Sequence, residues 1–428
     1  MELDFRVLDP RDATLDPDVV RGWVRGATRG FHLPLVDDDR ADLYARRYAA
    51  DSALMRGAWL PAGSFGAGPE PVATLASWPG EVNTGSGLVD VRMITDVTVS
   101  PAQRRQGLAS RMIGDELADA ARAGFPLAAL TVTEGGIYRR FGFGPATFRA
   151  RVEVDVSARF SVEHPDDVGL AQEGRVGRCV IMPPVEMWPV VDDVFRRWHT
   201  VTRGSVSRHA GYQDIATGAI DWETQKPVDT LRGAVHLDAD DRPDGFVLWT
   251  HSGWENPVGV LTVTDMVALS SSASLGLWEF LAGIDLTQKV TSYVSPDDRL
   301  RWAVSDPRTV KQTALDDLLW LRVLDVPATL TSRPWYGDGE VLVGVRDRLG
   351  FTDGTWRVVV RDSDVEVTRT DAAAQVQADV STLGSLVLGG VSVETLAVTG
   401  RLRGDATAVR RLASMADGGD VPYCATDF

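Results

Sequence analysis

The stretch "DVTVSPAQRRQGLASRMIGDEL", Asp96–Leu117, decides how the rest of the chain is read. Asp96–Ser100 alternates apolar and small polar side chains, the period of a half-buried strand, and Pro101 ends it. Arg104, Arg105 and Gly107 follow, after which Leu108, Met112, Ile113, Leu117 and Ala120 recur at helical spacing. A helix N-terminus carries unpaired backbone N–H groups and partial positive charge. Glycine lets the backbone come close to a ligand, and arginine forks match phosphate oxygens. The strand–Arg-Arg–Gly–helix seam is therefore suited to a pyrophosphate. A solvated basic turn before a surface helix is the plain alternative.

Outward from this seam the first 150 residues read as mixed α/β. "FRVL", "PVATLAS", "VRMITDVTVS" and "PLAALTV" have strand character, and residues 17–29 and 41–49 have helical character, with Pro17 at the first helical position. "IYRRFGFGPA" closes the unit with glycines and a proline. Further on, "RVEVDV", "GFVLWT" and "VGVLTVTDMVAL" read as strands, and "PPVEMWPVVDDVFRRWHTVTRG" reads as a helix closed by Gly204. From residue 316 the texture changes. "DDLLWLRVL" reads as a helix, and "EVLVGVRD", "TWRVVVRD" and "VEVTR" read as strands at hairpin spacing. "DVSTLGSLVLGG" and "DATAVRRLASMA" read as helices, each with an aspartate available as N-cap.

There is one internal echo. "DVTVSPAQRRQGL" from Asp96 lies over "DMVALSSSASLGL" from Asp265 without a gap, with the glycine and the following leucine coinciding. Arg104 and Arg105 fall on Ala273 and Ser274, as expected of a duplicated unit whose second copy has lost its arginines.

The net charge is −16, which argues against nucleic acid or an anionic membrane as the main partner and is compatible with cationic substrates. Only Cys179 and Cys424 are present, so neither a disulfide framework nor a cysteine metal cluster is readable. The histidines (His32, His164, His199, His209, His236 and His251) have no ligand spacing, and no metal is expected. The charged start "MELDFRVLDPRD" lacks a signal-peptide core, and no apolar run approaches the ~18 residues of a membrane span. The cytoplasm is the expected location.

The string V-x-V-x-x-x-x-R-R-x-G-x-A, Val97–Ala109, resembles the acetyl-coenzyme A motif of the GNAT N-acetyltransferases. "TVTEGGIYRRFGFGPAT", Thr131–Thr147, resembles the end of the acetyltransferase domain in the Eis (enhanced intracellular survival) family, whose members also end on phenylalanine, as this chain does at Phe428. The resemblance implies an α/β fold of mixed sheets in three parts. Residues 1–149 would form a catalytic GNAT domain, 150–315 a degenerate GNAT-like domain, and 316–428 a sterol-carrier-like domain ending in the catalytic carboxylate. It also implies a homohexamer.

The resemblance further implies that acetyl-coenzyme A is held by Val97, Thr98 and Val99 through the strand backbone. The loop and helix start, Arg104, Arg105, Gln106, Gly107, Leu108, Ala109 and Ser110, would hold its pyrophosphate, with Thr133 and Glu134 adding contacts. An alkylamine must lose its proton before attack, which costs roughly 4–5 kcal/mol at pH 7. In this family the terminal carboxylate, here that of Phe428, takes that proton. Tyr138 is the implied general acid at the coenzyme sulfur. A phenol is a weaker acid than a thiol by roughly 2 kcal/mol, so Tyr138 acts first as a hydrogen-bond donor to the departing thiolate. Without the resemblance, "GGDVPYCATDF" would read as a frayed tail and Tyr138 as a packed aromatic. The implied acceptors are aminoglycoside-like or lysine-type amines. The rival expectations are a transferase dedicated to one protein or metabolite, and a catalytically dead ligand-binding protein. Phe31, His32 and the acidic run Asp37–Asp39 follow the first helix and could line an acceptor site, although such a run is more often a solvated face.

Overall fold

In the computed structural model, which describes residues 2–132, 134–163, 177–253 and 258–428, three sheets carry the fold. The chain begins with β1 (Asp4–Leu8), α1 (Pro17–Gly30), α2 (Asp38–Ala50), β2 (Leu54–Trp59), β3 (Ala73–Asn83), β4 (Leu88–Val99), α3 (Leu108–Arg122), β5 (Leu127–Thr131), α4 (Gly135–Tyr138) and β6 (Gly144–Pro145). Pro17 opens α1, as the sequence suggests, and the Asp16 side chain caps the helix from just ahead of it. Next come β7 (Phe148–Asp155), β8 (Arg178–Met182), α5 (Pro184–Val201), α6 (Tyr212–Ala216), β9 (Arg232–Leu237), β10 (Pro243–His251), β11 (Val260–Ala268), α7 (Ser271–Ala282), β12 (Lys289–Val294), α8 (Leu300–Ala303) and β13 (Val310–Asp317). The last stretch holds β14 (Leu319–Val323), α9 (Val326–Thr331), β15 (Gly339–Arg346), β16 (Gly354–Arg361), β17 (Asp364–Thr370), β18 (Val376–Asp379), α10 (Val380–Val387), α11 (Val393–Val398), β19 (Leu402–Gly404) and α12 (Ala406–Ala416).

The first sheet has the order β1-β2-β3-β4-β5-β14-β6 and the second β8-β9-β10-β11-β12-β7-β13, the same plan twice. In each, antiparallel strands lead to one parallel pair, β4 with β5 and β11 with β12, joined by a helix. The third sheet is β17-β16-β15-β18-β19. The first two sheets exchange material: β7, just after β6, crosses to the second sheet, and β14 returns to lie between β5 and β6. The sequence boundary at 315–316 thus falls inside β13, and β14, beyond it, is hydrogen-bonded into the first sheet.

The expected helix at "DDLLWLRVL" is corrected to strand. All five residues of β14 are buried, because the strand is central and covered on both faces. A short, continuous apolar run has no period that separates a buried strand from a buried helix. The N-cap expectation divides as well. Asp405 caps α12 through the N–H groups of Thr407 and Ala408, whereas Asp379 at the start of α10 turns to Arg346 (2.9 Å).

One face of the first sheet packs on α3 through Ile94, Met112, Leu117, Leu130 and Phe143. The other face shares a core with the third sheet, joining Met93, Leu127, Ala129 and Leu321 to Val341, Leu383 and Leu386. Helix α10 lies so close that a Cβ on Gly144 would be 1.8 Å from the Ser381 carbonyl oxygen, and one on Gly384 2.2 Å from that of Leu321. Those two positions admit only glycine.

Arg322 on β14 is fully buried and meets Asp347 at 2.7 and 2.8 Å, a carboxylate also held by the N–H groups of Leu349 and Thr352. Burial opposes the charge on both partners and pushes the guanidinium down, while Arg322 holds the Asp347 carboxyl below its ordinary value. Arginine is basic enough to keep its charge against this push, so the pair is ionic. Arg322→Ala strands a buried carboxylate and should cost about 3–5 kcal/mol in urea unfolding. A loss below about 1 kcal/mol would show that the pair does not hold the third sheet to the first.

Candidate functional site

Strands β4 and β5 are paired only at Val91–Met93 with Leu127–Ala129, and beyond this they part. The register of β4 against β3 slips between Thr74 and Ala76, a bulge at Asp96, whose φ is +52°. The bulge is pinned by the Thr74 hydroxyl, which donates to the Asp96 carbonyl oxygen (2.7 Å), and by the Tyr48 hydroxyl, which donates to the Asp96 carboxylate. The bend and the parting leave Val97, Thr98 and Val99 at the mouth of a V-shaped opening, all three partly buried.

After β4 a short 3-10 turn, Pro101–Gln103, leads through Arg105 (φ +64°) to Gly107 (φ +79°), the N-cap of α3. A Cβ at Gly107 would meet nothing within 4 Å, so glycine serves the left-handed turn and leaves the space in front open. Among the described residues, no acceptor meets the backbone N–H of Arg105, Gln106, Gly107, Leu108, Ala109 or Ser110. The Arg104 and Arg105 side chains are exposed and have no ion-pair partner among the described residues. The Gln106 amide bonds that of Gln103 at 2.9 Å, and Leu108 is buried beneath. Unpaired N–H groups, a helix N-terminus and two guanidinium forks stand together here, an arrangement suited to an anion.

Tyr138 ends α4, edge-on to Phe143 at 6.3 Å, and packs on the cluster that also takes Val97, Val99 and Leu108. Burial raises its phenol above the ordinary value, with the Glu134 charge adding to the effect. Glu134 itself is exposed, and Thr133 lies outside the described residues.

The tail is ordered to its end. The Thr131 hydroxyl, at the tip of β5, donates to a terminal oxygen of Phe428 and accepts the Phe428 N–H at 3.2 Å. The Phe428 ring lies edge-on to Trp78 at 5.7 Å. Asp427 meets Arg149 at 2.8 Å, and Cys424 and Thr426 are each 1% exposed. Phe428 packs with the core on one face of the first sheet and Tyr138 with that on the other, and no ring or hydrogen-bond contact joins them among the described residues. Thr131, Trp78, Arg149 and Asp427 escape sequence reasoning. Thr131 lies inside a quoted motif and Asp427 beside the terminus, but nothing local signals that they meet their partners.

Two polar groups, His209 and Asp96, are strongly perturbed by burial. His209, 6.0 Å from the Trp78 ring, is pushed down to about 4 by burial, with Arg47 and Arg208 adding to it. Asp96 is pushed up to about 6 by burial against the pull of Tyr48. The unfolded chain takes up a proton at His209 near pH 6.5 and the folded chain only near 4. Stability from this group is therefore complete above 6.5 and lost as pH falls through 4. His209→Leu should remove about 2–3 kcal/mol of the stability lost between pH 7 and 4. Urea midpoints against pH measure this, and identical slopes in variant and parent would contradict it.

The acidic run after α1 is mostly structural: Asp37 caps α2, Asp38 pairs with Arg25, and Asp39 is exposed. Phe31 lies edge-on to Trp222 at 6.5 Å. A cavity of about 580 Å³ lies in the second unit, lined by Trp249, Leu261, Phe280 and Ile284 among others, and contains none of the expected site residues. Among the described residues no group of three or more metal-ligating side chains comes together. His164 lies outside them.

The echo at Asp265 holds in the strand and fails in the loop. Like β4, β11 carries a bulge, here beside Asp265. Ser270 then caps α7, which begins at Ser271, so Gly276 lies inside a helix where Gly107 lies before one. The second unit has a shortened loop and lacks the arginines.

Residues 15–146 and 204–323 each match a family described as an acetyltransferase (GNAT) domain, and residues 326–425 match a sterol carrier protein domain. An uncharacterised N-acetyltransferase of Streptomyces griseus is 31% identical over 413 residues, 94% of this chain and 93% of that protein. The N-acetyltransferase Eis of Mycobacterium tuberculosis is 31% identical over 347 residues, 80% of this chain and 81% of that protein. The crystal structure of Eis1 from Mycobacterium abscessus matches with a TM-score of 0.81 at 24% identity, covering 99% of this chain and 100% of that one. A GCN5-related N-acetyltransferase from Anabaena variabilis matches at 0.79 and 20% identity, covering 99% and 100%. The structural likenesses speak to the fold.

Proposed function

The chain belongs to the Eis family of N-acetyltransferases in the GNAT superfamily, and from that membership we propose that it moves the acetyl group of acetyl-coenzyme A to amines of polycationic acceptors, aminoglycoside-like or lysine-type. The Arg105–Ser110 cradle with Arg104 would take the pyrophosphate, and Val97–Val99 the pantetheine arm and the oxyanion. The Phe428 carboxylate receives the acceptor's proton, directly or through one water. The amine nitrogen then bonds the acetyl carbon and the bond to sulfur breaks; Tyr138 donates a hydrogen bond to the departing thiolate, and the second N–H proton of the former amine passes through solvent to that sulfur, leaving a neutral amide and free coenzyme A. A phenol raised by burial is a still weaker acid, which favours this donor role over full proton transfer. The observation that carries the reading is the chain end held by Thr131 at the tip of β5, where β4 and β5 part. The net charge of −16 favours cationic acceptors.

The same membership supports a homohexamer acting in the cytoplasm. Among the described residues no helix is long and apolar enough to cross a membrane. The test of function is acceptor profiling by mass spectrometry, with kcat/KM for aminoglycosides, lysine peptides and diamines. Acetylation of several classes with comparable kcat/KM is expected. One preferred acceptor, with the others orders of magnitude worse, would establish the dedicated transferase instead.

A further inference from the structure

Both acetyltransferase-like units contain a parallel strand pair that parts. β11 and β12 are paired only at Val260–Thr262 with Lys289–Thr291, as β4 and β5 are at Val91–Met93. In the second unit the anion cradle is gone, since Ser270 caps α7 through the Ala273 N–H two residues after β11 ends. The chain's own tail lies there instead. Tyr423 packs on the cluster that includes Val267 of β11 and lies edge-on to Trp198 of α5 at 6.1 Å. Its hydroxyl approaches the carbonyl oxygen of Tyr293 at 3.4 Å, on β12 beyond the last paired residue. The Tyr293 ring carries the Arg149 guanidinium at 4.1 Å, and Arg149 holds Asp427. Upstream, the Tyr423 N–H donates to the Arg203 carbonyl oxygen at 2.8 Å.

We propose that the parted strands of the second unit are the seat of the chain's C-terminus, with Tyr423 and Arg149 as positioning residues for the Phe428 carboxylate. The inference rests on the reading that this carboxylate takes the acceptor's proton. The Thr131 hydroxyl alone cannot hold the tail, because ordering Cys424–Phe428 costs more than its two hydrogen bonds return. The Phe428 ring on Trp78 and the buried Cys424 supply part of the remainder beside the first sheet, and the half-buried Tyr423 ring and the Arg149–Asp427 link add to it from the second unit. A degenerate unit without a cradle thereby retains a part in the chemistry: it aims a group into the first unit's site.

The test compares Tyr423→Ala, Tyr423→Phe and Arg149→Ala, each in the full chain and in a chain extended by Gly-Ser-Gly after Phe428. In the full chain, Tyr423→Ala and Arg149→Ala should lower kcat on the order of 10- to 100-fold, the size expected when a reacting group is displaced by about an ångström. Donor KM should stay within about threefold, and Tyr423→Phe should keep most of the activity because ring packing does the seating. In the extended chain, where the carboxylate is already displaced, Tyr423→Ala should lower the residual rate no further. Full activity in both alanine variants, or an equal fold-loss in both backgrounds, would overturn the seat. If Tyr423→Ala does not fold, Arg149→Ala decides the question alone. An extended chain that keeps full turnover would overturn the terminal-base reading and the seat with it. A slowed extended chain beside fully active alanine variants would overturn the seat alone.

Discussion

Adding three residues after Phe428 should slow acetyl transfer about 10²–10⁴-fold while leaving the donor bound. The chain end is held at three points: Thr131 meets both its N–H and a terminal oxygen, Trp78 meets its ring, and Asp427 is tied to Arg149. A peptide continuing from Phe428 turns the carboxylate into a neutral amide carbonyl, which cannot take a proton from an ammonium. General-base contributions are about 10²–10⁴-fold, and kcat should fall by that order. The Arg105–Ser110 loop, proposed to take the pyrophosphate, is a separate segment, and the donor should keep its affinity. Coenzyme A release gives kcat, and calorimetry gives the donor Kd. Unchanged kcat would end the terminal-base reading, and a donor Kd weakened in parallel would mean that the tail supports donor binding as well.

Arg104→Ala with Arg105→Ala should raise the donor KM on the order of 10²–10⁴-fold and leave the acceptor KM within about threefold. Both guanidiniums are exposed and without ion-pair partners among the described residues, so removing them breaks nothing in the folded chain. A hydrogen bond to a charged group is worth about 1.5–3 kcal/mol, and two together give the stated range. Conservative lysines should recover only part of the loss, because an ammonium offers charge without the fork. Equal effects on donor and acceptor KM would remove the pyrophosphate assignment.

The seam at Asp96–Leu117 was legible because everything in it is local. Alternation marks β4, Pro101 ends it, Gly107 takes a left-handed φ, and an apolar face on a 3.6-residue period makes α3. The motif at Thr131–Thr147 and the terminal phenylalanine added what a family resemblance can add, a role for each position. The gapless echo at Asp265 was half right. It found the repeated strand, but the coincidence of Gly107 with Gly276 concealed a shortened loop, since the run Ser270–Ser272 offers several possible N-caps and does not say which one begins the helix.

By itself, then, the sequence determined the local elements, the duplicated plan and the chemistry of the anion loop, because those follow from backbone preferences and side-chain period over a few residues. Only the tertiary structure decided that β14 belongs to the first sheet, that Arg322 is buried on Asp347, and that Thr131 receives Phe428 across 297 positions of sequence. Period and propensity report that a residue is buried or turned, and they carry no record of its partner. Partnership is settled by which surfaces close on one another once the three sheets pack, and there the tail became a positioned carboxylate rather than a loose end.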